Sequence, residues 1–141
     1  MTRYLLDTNI VSELRRSRPD TGVVSWFDGV AGADLYLSVL TIGEIHQGVE
    51  RLRRRDPLQC DRIAEWLDQL VASFSSRILR VDRLVARRWA LLNAQRPLPA
   101  IDSLLAATAI EHDAVLVTRN VRDLVGTGVP LHNPFGTGPR A

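Results

Sequence analysis

The chain has 141 residues with a formal net charge of +2, and 45% of its residues are hydrophobic and 24% charged, which is typical of one soluble globular domain with its own core. No stretch approaches the roughly 20 apolar residues of a membrane span, and the first residues lack the apolar run of a secretory signal. The only cysteine, Cys60, excludes an internal disulfide. We therefore expect a cytoplasmic protein.

Short apolar runs predict the strands of a sheet. Pro130 lies in the last of them and cannot donate to a β-ladder, so that run is expected at an edge of the sheet. The predicted strands are Tyr4–Leu6, Leu35–Ser38, Ile78–Val81, Ala114–Thr118 and Val129–Leu131.

Helical patterns lie between these runs. In two of them apolar residues recur on one face of a helix, first at Ile42, Ile45, Val49 and Leu52 and then at Ile63, Leu67, Leu70 and Phe74. The other predicted helices are Ile10–Arg16, Thr21–Gly29, Leu84–Asn93 and Ser103–His112.

Alternating strands and helices predict an α/β fold, a three-layer α/β/α sandwich around a central, mainly parallel sheet with right-handed crossovers. We expect one domain over residues 1–135. The segment from residue 133 onward is rich in Gly and Pro, and is expected to fray, with residues 136–141 as a flexible C-terminal tail.

Carboxylates and amides follow the predicted strands. Asp7 comes directly after the first strand, and Glu44 is expected in the first turn of the helix after the second. Asp102 opens a late helix, while Asn120 and Asp123 follow the fourth strand. Ligands of open parallel sheets gather at the carboxyl ends of the strands. We therefore expect four strand-to-helix junctions to deliver these side chains to one edge.

Each acid also has an ordinary structural interpretation as a helix cap. Asp7 and Asp102 are suitable N-cap residues, and Thr41-x-x-Glu44 matches a capping box. Three like charges at one sheet edge, however, would raise one another's pKa, and a divalent cation would relieve that repulsion. Oxygen ligands favour Mg²⁺ or Mn²⁺. The histidines, His46, His112 and His132, are scattered and do not suggest a zinc site.

Glu44, Gly48, Arg51 and Arg55 are spaced to share one face of their helix, turned away from the apolar face. Such a face suits a metal next to a phosphate backbone, although arginines at a helix C-terminus also interact favourably with the helix dipole. All 18 basic residues are arginine. Arginine binds phosphate well, but a GC-rich genome gives the same composition, and both interpretations stay open.

Four motifs in this order resemble those of PIN-domain proteins, and more closely those of VapC-type toxins of bacterial toxin–antitoxin pairs. The resemblance runs from residue 3 to about residue 135. The motifs are Leu5-Leu6-Asp7-Thr8-Asn9, Ser38-x-x-Thr41-x-x-Glu44-Ile45-x-x-Gly48, Asp102-x-Leu104-x-Ala106-Ala107-Thr108-Ala109 and Val117-Thr118-Arg119-Asn120-x-x-Asp123.

The resemblance implies a Mg²⁺-dependent endoribonuclease, with Mn²⁺ as an alternative ion, that cuts specific RNA and arrests translation. It assigns Asp7, Glu44 and Asp102 to the acidic metal-site positions. Where the family often has a fourth acid, this chain has Asn120, with Asp123 three residues on.

The resemblance also implies supporting residues. Asn9 and Thr118 match positions that hydrogen-bond to the acids. On the helix face of Glu44, Arg51 and Arg55 are candidates for RNA contacts, and Arg119 of the fourth motif is a further candidate. In the mechanism we expect, Asp7 and Asp102 hold one metal while Glu44 binds through water or orients the nucleophile, and a second metal enters with the substrate.

The expected partners are RNA, a small antitoxin that lies across the toxin groove and places an arginine among the acids, and a second copy of the chain. Trp26 or Trp66, if exposed, would suit an interface. DNA is expected only through the antitoxin, because the sequence has no helix-turn-helix signature.

Three other functions remain as alternatives. The first is a catalytically inert PIN-like module that binds RNA or protein, which the amide at Asn120 favours. The second is a phosphorylated receiver domain, which the absence of lysine argues against. The third is a DNA nuclease, although the chain is too short for the extra DNA-clamping elements of related nucleases.

Overall fold

A computed structural model of the protein describes residues 2–136. Its centre is a five-stranded sheet in the order β3-β2-β1-β4-β5, and all four neighbouring pairs are parallel. The strands are β1 (Arg3–Leu6), β2 (Leu35–Ser38), β3 (Ile78–Leu79), β4 (Ala114–Val117) and β5 (Leu131–His132).

Among residues 2–136, six α-helices cover the sheet, and short 3₁₀ turns lie at residues 32–34, 75–77 and 122–124. The helices are α1 (Thr8–Arg15), α2 (Thr21–Asp28), α3 (Val39–Leu52), α4 (Pro57–Phe74), α5 (Arg83–Gln95) and α6 (Ala100–Glu111).

Alternate residues of the central strands face opposite layers, as the two-residue period of a strand requires. Leu6 and Val117 pack with residues of α1, α2, α3 and α4 on one face of the sheet. Leu5 and Leu116 pack with residues of α5 and α6 on the other. These two cores confirm the predicted three-layer sandwich. They also hold β1 and β4, whose ends form the site, in a rigid centre.

Strand β1 lies at the centre because the chain builds the sheet first to one side, through β2 and β3, and then returns to pair β4 on the other side. This reversal between β1 and β4 is a topological switch point, where open α/β sheets bind ligands at the carboxyl ends of their strands. The backbone N–H of Asp7 still donates to the carbonyl of Val117 at 2.9 Å. The first residue after β1 is thus fixed against the end of β4.

The predicted strand limits differ from the structure at both edges. Strand β3 ends at Leu79 instead of Val81, and β5 is formed by Leu131–His132 instead of Val129–Leu131. Pro130 does join the edge, but only as an acceptor, since its carbonyl receives the N–H of Leu116 at 2.9 Å. This is the contribution that a residue without an N–H is able to make.

The prediction that the chain frays from residue 133 onward is wrong for residues 133–136, which pack against the rest of the domain. Phe135 is buried in the core beside α2, and the N–H of Gly136 donates to Asp20 Oδ1 at 2.8 Å. Residues 137–141 of the predicted tail lie outside the described residues. Within residues 2–136, no helix combines the length and the apolar character needed to cross a membrane.

Candidate active site at the carboxyl edge of the sheet

Asp7 is the N-cap of α1 and lies at the centre of the edge formed by β1 and β4. Its Oδ1 accepts the backbone N–H of Thr8 at 2.6 Å, which is the capping bond. Its Oδ2 accepts the Thr118 hydroxyl at 2.6 Å and the Asn9 side-chain amide at 3.1 Å. With 5% of its surface exposed, this carboxylate is both a cap and a buried, fully oriented acid.

Burial raises the pKa of Asp7 above its ordinary value, and the negative charges of Asp102 and Glu44 raise it further. The hydrogen bonds from Thr118 and Thr8 oppose this shift without cancelling it. The upward shift shows that the ionised form of Asp7 is disfavoured by its surroundings. A nearby cation would reverse the electrostatic balance by offsetting the charges of the three acids.

Glu44 reaches this edge from the second turn of α3, and not from the first turn as expected. The helix begins at Val39, and its N-cap is Ser38, whose hydroxyl accepts the N–H of Leu40 at 3.0 Å. The predicted capping box is therefore wrong, and Thr41 lies buried inside the helix. Glu44 Oε1 instead accepts the Thr8 hydroxyl at 2.5 Å, a bond between α3 and α1.

Asp102 follows the connection between helices α5 and α6 and not a strand. The expectation that all these side chains come from strand-to-helix junctions is therefore wrong for Asp102. Helix α6 begins at Ala100 after an N-cap at Pro99, which places Asp102 in the first turn and not at the cap. The side-chain amide of Asn93 on α5 donates to Ser103 Oγ at 3.2 Å. This bond ties the turn that carries Asp102 to the preceding helix.

Asn120 and Asp123, the two alternatives for a fourth polar position, are separated by the structure. The side-chain amide of Asn120 donates to Asp102 Oδ2 at 2.6 Å, and its backbone N–H donates to Thr118 Oγ1 at 3.0 Å. Asp123 is exposed in the 3₁₀ turn at 122–124, and its backbone carbonyl accepts a bond from Arg96 at 3.0 Å. Asn120 is therefore the neighbour of the acids.

The acids retain oxygens for a ligand. Within residues 2–136, Glu44 Oε2 and Asp102 Oδ1 accept no hydrogen bond. The same residues contain no group of three or more His, Cys, Asp or Glu side chains placed to enclose a metal. The free oxygens of Glu44 and Asp102 are of the carboxylate type that Mg²⁺ takes together with water.

Two of the three predicted RNA-contacting arginines lie together and the third lies elsewhere. Arg51 and Arg55 line a groove of about 330 Å³ with Glu44 and Gly48, which we call the α3 groove. Its full lining is Thr8, Ser12, Arg15, Glu44, Ile45, Gly48, Arg51, Leu52, Arg55, Ile63 and Trp66.

Arg119 lies in a second cleft of about 320 Å³, which Asn9, Arg15, Arg16 and Phe135 also line. Its guanidinium lies 4.4 Å from the centroid of the Phe135 ring, and its backbone N–H donates to Asn9 Oδ1 at 3.4 Å. Arg119 is thus adjacent to the acids through Asn9, but it is not part of the α3 groove.

Two residues of the site were missed at the level of sequence, Thr8 and Arg15. Thr8 holds Glu44, and Arg15 lines both clefts. With Ser12 they fall at i, i+4 and i+7 of α1, which places all three on one face of that helix. This polar face beside Asp7 was the available signal.

The remaining aromatic and histidine candidates make no hydrogen bond to the acids, although Trp66 lines the α3 groove together with Glu44. Trp26 and Trp66 are half-buried against the core and not exposed, so neither is a freely exposed interface residue. His46 is exposed on α3, whereas His132 packs against the Trp26 ring with centroids 5.6 Å apart. None of them donates or accepts a hydrogen bond with Asp7, Glu44 or Asp102 among the described residues.

The fold and this edge define a PIN domain, and the sequence profile of that family, described as "PIN domain", matches residues 4–124. The chain belongs to the PIN-domain family, as its motifs predicted. It is 33% identical to toxin FitB of Neisseria gonorrhoeae over 140 residues, which cover 93% of this chain and 97% of the relative. It is 30% identical to VapC ribonuclease Y4jK of Sinorhizobium fredii over 139 residues, which cover 93% and 96%.

Solved structures show the same architecture. FitAB bound to a DNA fragment is 30% identical with a TM-score of 0.86, covering 98% of this chain and 99% of that chain. A toxin–antitoxin complex from Klebsiella pneumoniae, 24% identical, has a TM-score of 0.71 and covers 94% and 98%. The second comparison concerns the fold alone.

Proposed function

We propose that this protein is a Mg²⁺-dependent endoribonuclease, the toxin of a VapBC-type toxin–antitoxin pair, that cuts specific cellular RNA and so arrests translation. The observation that carries the proposal is the buried Asp7 carboxylate, whose pKa is raised by burial and by the charges of Asp102 and Glu44. Relatives that span nearly the whole chain carry the names toxin FitB and VapC ribonuclease. An acidic centre of this kind suits phosphodiester hydrolysis with a divalent cation.

Asp7 and Asp102 would hold the cation, and Glu44 would bind it through water or orient the attacking water. When bound, Mg²⁺ lowers the pKa of water and offsets the charge on a phosphoryl oxygen. The chain itself supplies orientation. Thr118 and Asn9 fix Asp7, Thr8 fixes Glu44, and Asn120 fixes Asp102. Side chains held by such neighbours keep their ligand geometry when the ion or the substrate exchanges.

The proposed partners follow from the same family. A cognate antitoxin would neutralise the enzyme by covering the acidic edge, and DNA would be bound through that antitoxin. FitAB has been solved with a DNA fragment. We propose a homodimer as the state of the toxin, and the cytoplasm, where cellular RNA is translated, as its place of action.

The proposal is tested by incubating purified protein with end-labelled cellular RNA in Mg²⁺, in Mn²⁺ and in EDTA. We expect discrete cleavage with either metal, none in EDTA, and none from an Asp7→Asn variant that retains its circular dichroism spectrum. Because a contaminating nuclease would be unaffected by the substitution, equal cleavage by this variant would contradict the assignment. A matched DNA substrate tests the alternative of a DNA nuclease.

A second candidate, an inert PIN-like module that binds RNA or protein, is favoured by one observation. Asn120 supplies an amide donor to Asp102 where a fourth acid would have supplied a ligand. Calorimetric titration with Mn²⁺ separates the two functions. Binding that is lost in Asp7→Asn supports the enzyme, whereas no binding to the unaltered protein supports the inert module.

A further inference from the structure

We propose that the α3 groove is a subsite for one nucleotide of a single-stranded RNA segment next to the cleavage point, with Gly48 as its open floor. This inference rests on the proposed function, since it gives the acidic edge a place to hold the substrate strand. Thr8 and Glu44, which are joined by a 2.5 Å hydrogen bond, are both part of its lining. A nucleotide in the groove would therefore lie beside Glu44, one of the three acids of the site.

Residue 48 has no side chain where it lines the groove. A Cβ added to Gly48 would meet no heavy atom within 4 Å, although this residue lies in the body of α3, where glycine is unfavourable. Neither backbone strain nor close packing requires glycine here. The space of about 330 Å³ above it lies within the size range of small-ligand pockets.

The charge of the groove fits a phosphate. Its lining contains Arg15, Arg51 and Arg55 against the single acid Glu44. Among residues 2–136 none of these three arginines has an ion pair, whereas Arg16, Arg53 and Arg88 elsewhere are each paired with a glutamate. Unpaired guanidinium groups on the rim of a groove are available to bind phosphate oxygens.

The lining of the groove also offers a surface for a base. Trp66 lines the groove, and the Arg15 guanidinium lies 5.8 Å from the centroid of one of its rings. Aromatic rings and arginine planes stack on unpaired bases with little regard to their identity. The arginines, the Trp66 ring and the space beside Gly48 together suit a nucleotide of a single strand. In a single strand the base is free to leave the stack.

The experiment measures the binding of a 5′-labelled oligouridylate of about ten nucleotides by fluorescence anisotropy in EDTA, so that cleavage does not interfere. Gly48→Leu fills the floor, and we expect it to weaken binding at least about tenfold. Gly32→Leu is the matched control, because a Cβ there also meets nothing within 4 Å and Gly32 lies outside the groove. We expect it to bind as the unaltered protein does.

A second pair of variants tests the charge without filling the groove. The double variant Arg51→Gln/Arg55→Gln should weaken binding and reduce the slope of log affinity against log salt by about 1.4, or roughly 0.7 for each lost phosphate contact on a single strand. The double variant Arg54→Gln/Arg62→Gln removes the same charge from exposed positions that do not line the groove. Its slope of log affinity against log salt should stay close to that of the unaltered protein.

Unchanged binding by Gly48→Leu, or equal losses in the two arginine pairs, overturns the subsite. Tighter binding of hexaglutamate than of oligouridylate also overturns it, in favour of an acidic peptide. If the unaltered protein cleaves RNA in Mg²⁺ while Gly48→Leu binds normally, the subsite fails and the proposed function stands. If the unaltered protein neither cleaves nor binds RNA, both fail.

Discussion

The Thr8 hydroxyl lies 2.5 Å from Glu44 Oε1 and 3.2 Å from Thr41 Oγ1. One side chain in the first turn of α1 thereby fixes the orientation of an acid that α3 supplies. Thr8 is next to Asp7 and donates its backbone N–H to Asp7 Oδ1, the capping bond of α1. The same residue therefore orients both the Asp7 and the Glu44 carboxylates. The two acids are consequently oriented relative to each other through a single residue.

Thr8→Val is predicted to lower kcat for RNA cleavage by about tenfold with little change in KM, because Glu44 loses its orienting hydrogen bond while the groove keeps its shape. Thr8→Ser keeps the hydroxyl and should restore most of the activity. Single-turnover cleavage of a labelled RNA measures both variants. A Thr8→Ser variant as slow as Thr8→Val would show that the methyl group, and not the hydroxyl, is what matters.

Asn120→Asp is predicted to tighten Mn²⁺ binding by severalfold and to destabilise the metal-free protein by roughly 1 kcal/mol. The substitution replaces the amide donor to Asp102 with a carboxylate, which adds a metal ligand and a like charge at the same time. Calorimetry measures the first effect and urea unfolding in EDTA the second. Asp123→Asn, at the exposed position, should change neither quantity.

Asp7 also predicts a pH dependence of stability. Its folded-state pKa is raised from 3.8, so the folded protein binds this proton more tightly than the unfolded chain does. The contribution of Asp7 to stability is therefore most favourable below pH 3.8, and it declines as pH rises through the folded-state pKa. Near neutral pH in EDTA, where the carboxylate is held ionised against this preference, Asp7→Asn should be more stable than the unaltered protein.

This difference should shrink as pH falls through the folded-state pKa of Asp7, because the unaltered carboxyl then becomes neutral as well. Urea unfolding of both proteins across this range measures it, and the subtraction removes the titration of all other acids. Mg²⁺ should stabilise the unaltered protein more than the variant. A stability gain that is constant with pH would mean that packing, and not charge, is the cause.

Local patterns were enough to predict the layers of the fold and the acids at its edge. The alternation of strands and helices and the placement of Asp7 after a buried strand are both properties of neighbouring residues. The origin of Asp102 was not predictable in this way, since it depends on how α5 and α6 pack. The bond from Thr8 to Glu44 joins residues 36 positions apart, and only the folded sheet brings them together.

The attachment of the C-terminal segment is a second non-local feature, and glycine at residue 22 permits it. A Cβ at Gly22 would lie 2.5 Å from the carbonyl oxygen of Pro134 and 2.7 Å from the backbone nitrogen of Gly136. Gly136 donates to Asp20 Oδ1, and this bond is the largest cause of the lowered pKa of Asp20. Residues 134–136 and the start of α2 are thus in direct backbone contact.

Gly22→Ala is therefore predicted to destabilise the protein by about 2 kcal/mol, because two backbone segments have to separate to admit one methyl group. Gly32→Ala, where the added Cβ meets nothing within 4 Å, should change stability by less than about 0.5 kcal/mol. Urea unfolding measures both variants. Amide hydrogen exchange then locates the damage, since rapid exchange at Phe135 and Gly136 with protected β1 and β4 is the pattern expected if the segment detaches while the sheet stays folded.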